Sequence, residues 1–117
     1  MKITEIAQVL SASILPAGAS GERGILHVYA GDRISDLIER ATPDTLLVTN
    51  ISNSQLIRVA ELMDVPGIVI AGGAEPAPEL LAAAGKTGTA IIVSSEGLFE
   101  TCGRLFGRVH AVEARLP

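Results

Sequence analysis

Val65-Pro66-Gly67-Ile68-Val69-Ile70-Ala71-Gly72-Gly73 is the stretch that decides the fold. Ile68 to Ala71 run without a polar interruption between turn residues. That is the pattern of a strand buried on both faces, as in a parallel sheet covered by helices. The glycine pair ends the strand, because glycine permits positive φ and close approach of another backbone or a ligand. Helical patterns lie on both sides of this strand, so the chain can be laid out around it.

Immediately upstream, Leu46, Leu47 and Val48 form another buried strand ending at Thr49-Asn50. Ser52-Asn53-Ser54-Gln55 then fits a capping box, with Ser52 three residues before Gln55. The helix it opens carries Leu56, Val59, Ala60 and Met63 on its apolar face, with Arg58 and Glu61 toward water. Further back, Ile25 to Tyr29 reads as a strand closed by Gly31-Asp32. Asp32 is the expected N-cap of a helix whose Ile34, Leu37, Ile38 and Ala41 repeat at i, i+3, i+4 and i+7. Ile3 to Leu10 forms a short helix with Thr4 as its N-cap. Ile14 and Leu15 make a short strand that ends at Pro16 and suits an antiparallel position at an edge. Ala17 to Gly24 is an exposed turn; no Gly-Lys-Ser/Thr follows, so it is not a phosphate loop.

Downstream of the glycine pair, Pro76 and Pro78 stand where a helix begins. Leu80, Leu81 and Ala84 are its buried side and Gly85 its stop. Ala90 to Val93 is the last strand. Ser94 or Ser95 caps the final helix, whose stripe is Leu98, Phe99, Cys102, Leu105, Phe106 and Val109. His110 to Pro117 has no clear pattern and is expected to fray or serve as a tail. Strand and helix alternate from Ile25 onward, which calls for right-handed crossovers. The fold class is therefore α/β, a single domain over residues 1–117 with a mainly parallel β-sheet of about five strands flanked by helices.

The chain has 117 residues, of which 48% are hydrophobic and 19% charged, a globular composition. Aromatics are 3%, so the core is built from Ile, Leu, Val and Ala, and stacking surfaces for single-stranded nucleic acid are not expected. A net charge of −4 argues against nucleic acid and anionic membranes as partners. Cys102 is the single cysteine, which excludes an intrachain disulfide and a cysteine-based zinc site. No run approaches the length of a membrane span. A cytoplasmic protein is the expectation.

Three stretches carry a family resemblance. They are Ile34-Ser35-Asp36-Leu37-Ile38 after Gly31, Leu47-Val48-Thr49-Asn50 before a capped helix, and Gly67 to Gly73 with Pro76 and Pro78 behind it. Phe99-Glu100-Thr101-Cys102-Gly103-Arg104-Leu105 adds a similar final helix. Together, over residues 28–106, they resemble the DRTGG domain. That module occurs in some phosphotransacetylases, between CBS domains in some pyrophosphatases, and as short stand-alone proteins often encoded beside hydrogenase and sensor-kinase-like genes. The resemblance implies a fold similar to the N-terminal domain of HPr kinase and a regulatory or dimerising role rather than catalysis. It also implies a sensor-kinase-like or hydrogenase-associated partner. Two departures stand out. Asn50-Ile51-Ser52 replaces the family's Asp-Arg pair after the strand ending at Thr49, and Ala71 takes the place of the Thr in the Thr-Gly-Gly turn.

No residue pattern points to catalysis. His27 and His110 lack Cys, His or carboxylate neighbours at metal-ligand spacing, so no metal site is expected. Cys102 lies on an apolar stripe, where a thiol behaves as a small hydrophobe. Ser94-Ser95-Glu96 lacks the Gly-x-Ser-x-Gly elbow of a nucleophile. Glu75, Glu79 and Glu96 lie among turn residues and are expected to be solvated. No cofactor is implied. The carboxyl ends of the parallel strands are where ligands bind in such sheets, and each precedes a helix N-terminus that favours anions. Asn50, Ser52, Gly72, Gly73 and Ser95 are therefore the candidate ligand-binding residues, for a nucleotide or another phosphate-bearing metabolite.

Two functional readings follow. The preferred one is a non-enzymatic regulatory or assembly module acting as a homodimer; the other is a small-ligand sensor. A mean hydropathy of +0.42 is high for a small monomer and leaves apolar surface to cover. Gly103 and Gly107, four residues apart on the final helix, are one candidate strip for close packing, facing either a partner or the sheet; the Gly72-Gly73 end is the other.

Overall fold

The computed structural model describes residues 1–16, 19 and 21–113, with side chains through Val109. Ten elements follow in order: α1 (Ile3–Val9), β1 (Ile14–Leu15), β2 (His27–Ala30), α2 (Ile34–Arg40), β3 (Thr45–Thr49), α3 (Gln55–Leu62), β4 (Gly67–Ile70), α4 (Pro78–Thr87), β5 (Ala90–Val93) and α5 (Leu98–Glu113). The strands form one sheet in the order β1-β5-β4-β3-β2. β2 to β5 are parallel, and β1 pairs antiparallel with β5, Ile14 opposite Ile92. The sheet is thus mixed and mostly parallel, with β4 in its middle.

The apolar run of β4 is buried throughout because each face meets its own layer of helices. Leu47, Ile68, Ile70 and Ile91 turn one way and pack with Leu37 of α2, Leu56, Val59 and Ala60 of α3, and Leu80 and Ala84 of α4. Leu46, Val48, Val69, Ala90 and Ile92 turn the other way, onto Ile3, Ile6 and Ala7 of α1 and Leu105 of α5. This is the period-two alternation of a pleated strand read on two covered faces. Close packing requires Gly67 at the start of β4. A Cβ there would lie 2.8 Å from Ile3 Cδ1 and 3.3 Å from the Ala90 carbonyl oxygen.

The chain between β1 and β2 is tied to the body by Arg23. Its guanidinium donates to the carbonyls of Asp64 at 2.9 Å and Val65 at 3.3 Å, and to Asp64 Oδ1 at 3.3 Å. Neighbouring backbone pairs, Ile3 N–H to Arg23 O at 3.0 Å and Ile25 N–H to Met1 O at 2.7 Å, fasten the same segment to α1.

Several boundaries differ from the sequence reading, each for a local reason. Ile25 is buried against the second core but pairs with Met1, so β2 starts at His27. Helix α1 begins at Ile3 with Thr4 inside it; the Lys2 N–H is satisfied instead by Glu5 Oε1 at 3.1 Å. Arg33, not Asp32, precedes α2, and its side chain makes no cap bond. At α3 the acceptor is Asn53 Oδ1, 3.0 Å from the Gln55 N–H, and Ser52 does not cap. Gly85 lies within α4. The helix ends three residues later, at Gly88, whose φ of 76° is the left-handed conformation that closes a helix. α5 starts at Leu98, so neither Ser94 nor Ser95 is its cap, and it continues to Glu113 rather than fraying from His110. Ala17, Gly18 and Ser20 of the expected turn, and residues 114–117, lie outside the described residues.

Candidate functional site

Parallel register brings the carboxyl ends of β2 to β5 to one edge. The ladder extends past the strands through Gly31 N–H to Val48 O at 3.0 Å, Ala71 N–H to Thr49 O at 2.8 Å, and Ser94 N–H to Ile70 O at 2.8 Å. Gly31, Asn50, Gly72 and Ser95 consequently leave the sheet side by side. Since β2 to β5 are consecutive neighbours with right-handed crossovers, α2, α3 and α4 share one face of the sheet. α5 departs from β5 to the opposite face. The connections after β4 and β5 therefore diverge, which makes this junction the topological switch point where open α/β sheets place ligands.

Gly72, Gly73 and Ser95 meet at that junction. Gly72 has φ 92° and Gly73 φ 70°, conformations that favour glycine. The turn they make presses against the β5–α5 connection, where Gly72 N–H donates to Glu96 O and Gly73 N–H to Ser94 O, both at 2.7 Å. These amides are engaged with backbone carbonyls, so an anion at this edge would be held by side chains rather than by a nest of free N–H groups. Ser95 is exposed beside the pair, and Asn50 is exposed on the neighbouring strand end. Ser52 is half-buried one turn further on, past Ile51, whose N–H bonds the Thr49 hydroxyl at 3.1 Å.

Beneath Ser95 lies a buried polar knot that sequence reading missed. Ser94 Oγ and Thr101 Oγ1 are 2.8 Å apart, and Thr101 Oγ1 donates to Glu96 O at 3.3 Å. Ser94 is 2% and Thr101 0% exposed. Glu96 also forms an ion pair with Arg104. Of the other acidic candidates, Glu75 and Glu79 are exposed, as expected. His27 is exposed on the edge strand, and the side chain of His110 lies outside the described residues. Among the described residues no group of His, Cys, Asp and Glu is placed to hold a metal.

The knot turns α5. With Thr101 and Leu105 against the sheet, Phe99 and Phe106 are left 86% and 70% exposed. The expected six-residue stripe is thus split: Leu98, Cys102, Leu105 and Val109 pack on the second core, and the two phenylalanines do not. Gly103 and Gly107 are exposed too, and a Cβ on either would meet nothing within 4 Å. Between α5 and the outer strands an apolar cavity of about 270 Å³ opens, lined by Val28, Ala30, Val48, Cys102, Leu105, Phe106 and Val109. Burial there pushes the Cys102 thiol pKa up, the opposite of what a reactive thiolate needs. The exposed phenylalanines had one sequence signal: Thr101 sits on the line of α5 that a polar residue enters only with a buried partner.

A five-stranded, mostly parallel sheet with helices on both faces and a glycine turn at its switch point defines a small α/β module. The DRTGG domain model matches residues 5–106, and the chain belongs to that family. No curated protein matches the sequence. The fold is similar to a solved structure described as the CBS and DRTGG domains of the regulatory region of Clostridium perfringens pyrophosphatase, complexed with its activator diadenosine tetraphosphate. The TM-score is 0.64 at 16% identity, and the match covers 85% of this chain and 43% of that one. This chain therefore spans less than half of that regulatory region. Among the described residues no helix is long and apolar enough to cross a membrane.

Proposed function

We propose that this DRTGG domain is a non-catalytic regulatory module that works as a homodimer. The observation that carries the reading is the outer side of α5, which exposes both of the chain's phenylalanines. Large aromatic side chains held in water are unfavourable in a monomer and typical of a contact surface. Membership in a regulatory domain family supports the same reading. Sedimentation equilibrium at micromolar concentration is the direct test: the expected mass is about twice 12.1 kDa. A single species at 12.1 kDa across the concentration range overturns the homodimer.

The switch point favours a second reading, a sensor for a nucleotide or another phosphate-bearing metabolite using Asn50, Ser52, Gly72, Gly73 and Ser95. The diadenosine tetraphosphate bound by the pyrophosphatase region makes dinucleotide polyphosphates the first compounds to try. Titration calorimetry with diadenosine tetraphosphate, ATP and inorganic phosphate tests it. Binding that weakens in Ser95→Ala and Asn50→Ala supports the sensor, since both side chains are exposed and dispensable to the fold. Absence of heat from all three compounds, or binding unaffected by both substitutions, counts against it.

A further inference from the structure

We infer that the dimer is made by α5 packing antiparallel on α5 of a second copy, with Phe99 of each copy seated at the apolar cavity beside Phe106 of the other. The inference rests on the homodimer reading and adds the surface and its orientation.

Three features of α5 agree on this arrangement. The first is glycine. Gly103 and Gly107 occupy the middle of a helix, where each costs about 1 kcal/mol relative to alanine. Neither is required by a neighbour, since a Cβ at either position meets nothing within 4 Å. A helix from another molecule approaching this line is what a missing side chain accommodates. The second is the pairing of a protrusion with a hollow. Phe99, at 86% exposure, stands on the same side of α5 as the cavity walled by Cys102, Phe106 and Val109. Residues at spacings of three, four and seven share a helix side. An antiparallel alignment that sets Phe99 opposite the second copy's Phe106 therefore brings each Phe99 to the other copy's cavity, and centres the contact on Gly103.

The third feature is charge. Glu100 lies in the first turn of α5, with Arg104 and Arg108 further along the same side, away from the cavity. Glu96, just before the helix, already pairs with Arg104 of its own chain, so the second copy's charges would extend that pair. In the antiparallel alignment Glu100 comes level with the second copy's Arg104, and Glu96 with its Arg108. A parallel alignment would place Glu100 beside Glu100 and Arg108 beside Arg108. Charge complementarity thus selects both the occupant, a second copy of this chain, and its direction.

Sedimentation of the intact chain and two variants tests the surface. Phe99→Glu is expected to weaken association by at least about tenfold. Gly103→Leu is expected to raise thermal stability through helix propensity while also weakening association, a combination that a purely structural glycine does not give. Orientation is read by oxidation in a Cys102→Ser background. Gly103→Cys is expected to crosslink between copies. Arg108→Cys is not, because antiparallel helices hold the two positions about 16 Å apart along the axis. If the intact chain is dimeric and both Phe99→Glu and Gly103→Leu remain dimeric, this interface is overturned and the homodimer stands. If the intact chain is monomeric, both fall. Efficient crosslinking through Arg108→Cys overturns the antiparallel order.

Discussion

Ser94 and Thr101 set the course of the chain after the last strand. Their hydroxyls are 2.8 Å apart in a position shielded from water, where Ser94 donates to Thr101 and Thr101 donates to the Glu96 carbonyl. Thr101→Val keeps the volume and removes the partner. The expected loss is about 1–3 kcal/mol, the cost of leaving a buried polar atom unpaired. Urea denaturation measures it, and the Ser94→Ala/Thr101→Val double variant is expected to lose less than the two single losses added together. Ser95, one residue on and exposed, carries no such load: Ser95→Ala should unfold at the same urea concentration as the parent. A Thr101→Val protein as stable as the parent would mean that the hydroxyl pair does not hold α5.

At the scale of elements, helix starts depend on which short polar side chain reaches the first free amides. Ser52 and Gln55 have the spacing of a capping box, yet α3 begins at Gln55 and the bond comes from Asn53. Asn53→Ala is therefore expected to lower stability by about 1 kcal/mol and Ser52→Ala to leave it nearly unchanged. Thermal melting of the two variants decides between the caps; equal shifts would return the cap to Ser52. Helix α4 shows the same principle at its other end. Gly85 has the right residue type, but Leu80, Ala83 and Ala84 continue to bury against the sheet, and the helix runs on to the left-handed Gly88.

For the whole molecule, two helical layers close on one sheet and Arg23 fastens the long connection across its amino-terminal edge. Arg23 donates to carbonyls of Asp64 and Val65, on the turn that leads into β4. Its planar fork serves several acceptors at once, which a lysine ammonium on a flexible stem does not reproduce. Arg23→Ala is expected to destabilise by about 1–3 kcal/mol, since the bonds to a charged donor are lost and the carbonyls must find water. Arg23→Lys should recover only part of this, measured by urea denaturation. Full recovery would show that charge alone, through the 3.3 Å ion pair to Asp64, holds the connection.

The sequence by itself determined the alternating strands and helices, the doubly buried β4, the edge position of β1 and the family. Those follow from apolar periodicity, from glycine and proline punctuation, and from motif order, all of which are local along the chain. It also placed Gly72, Gly73 and Ser95 at the carboxyl ends of strands, since parallel strands end at one edge of their sheet. Only the tertiary structure decided how that end is used. The glycine amides bond to Ser94 and Glu96 because β4 and β5 send their connections to opposite faces, and strand order is a long-range property. The direction of α5 was likewise beyond the sequence. Leu98, Phe99, Cys102, Leu105, Phe106 and Val109 make one continuous stripe on paper. Which part of it meets the sheet depends on a hydroxyl pair formed between the end of β5 and the middle of the helix. Periodicity shows that a helix has an apolar side; only the contacts of its polar residues determine how far that side is turned toward the core.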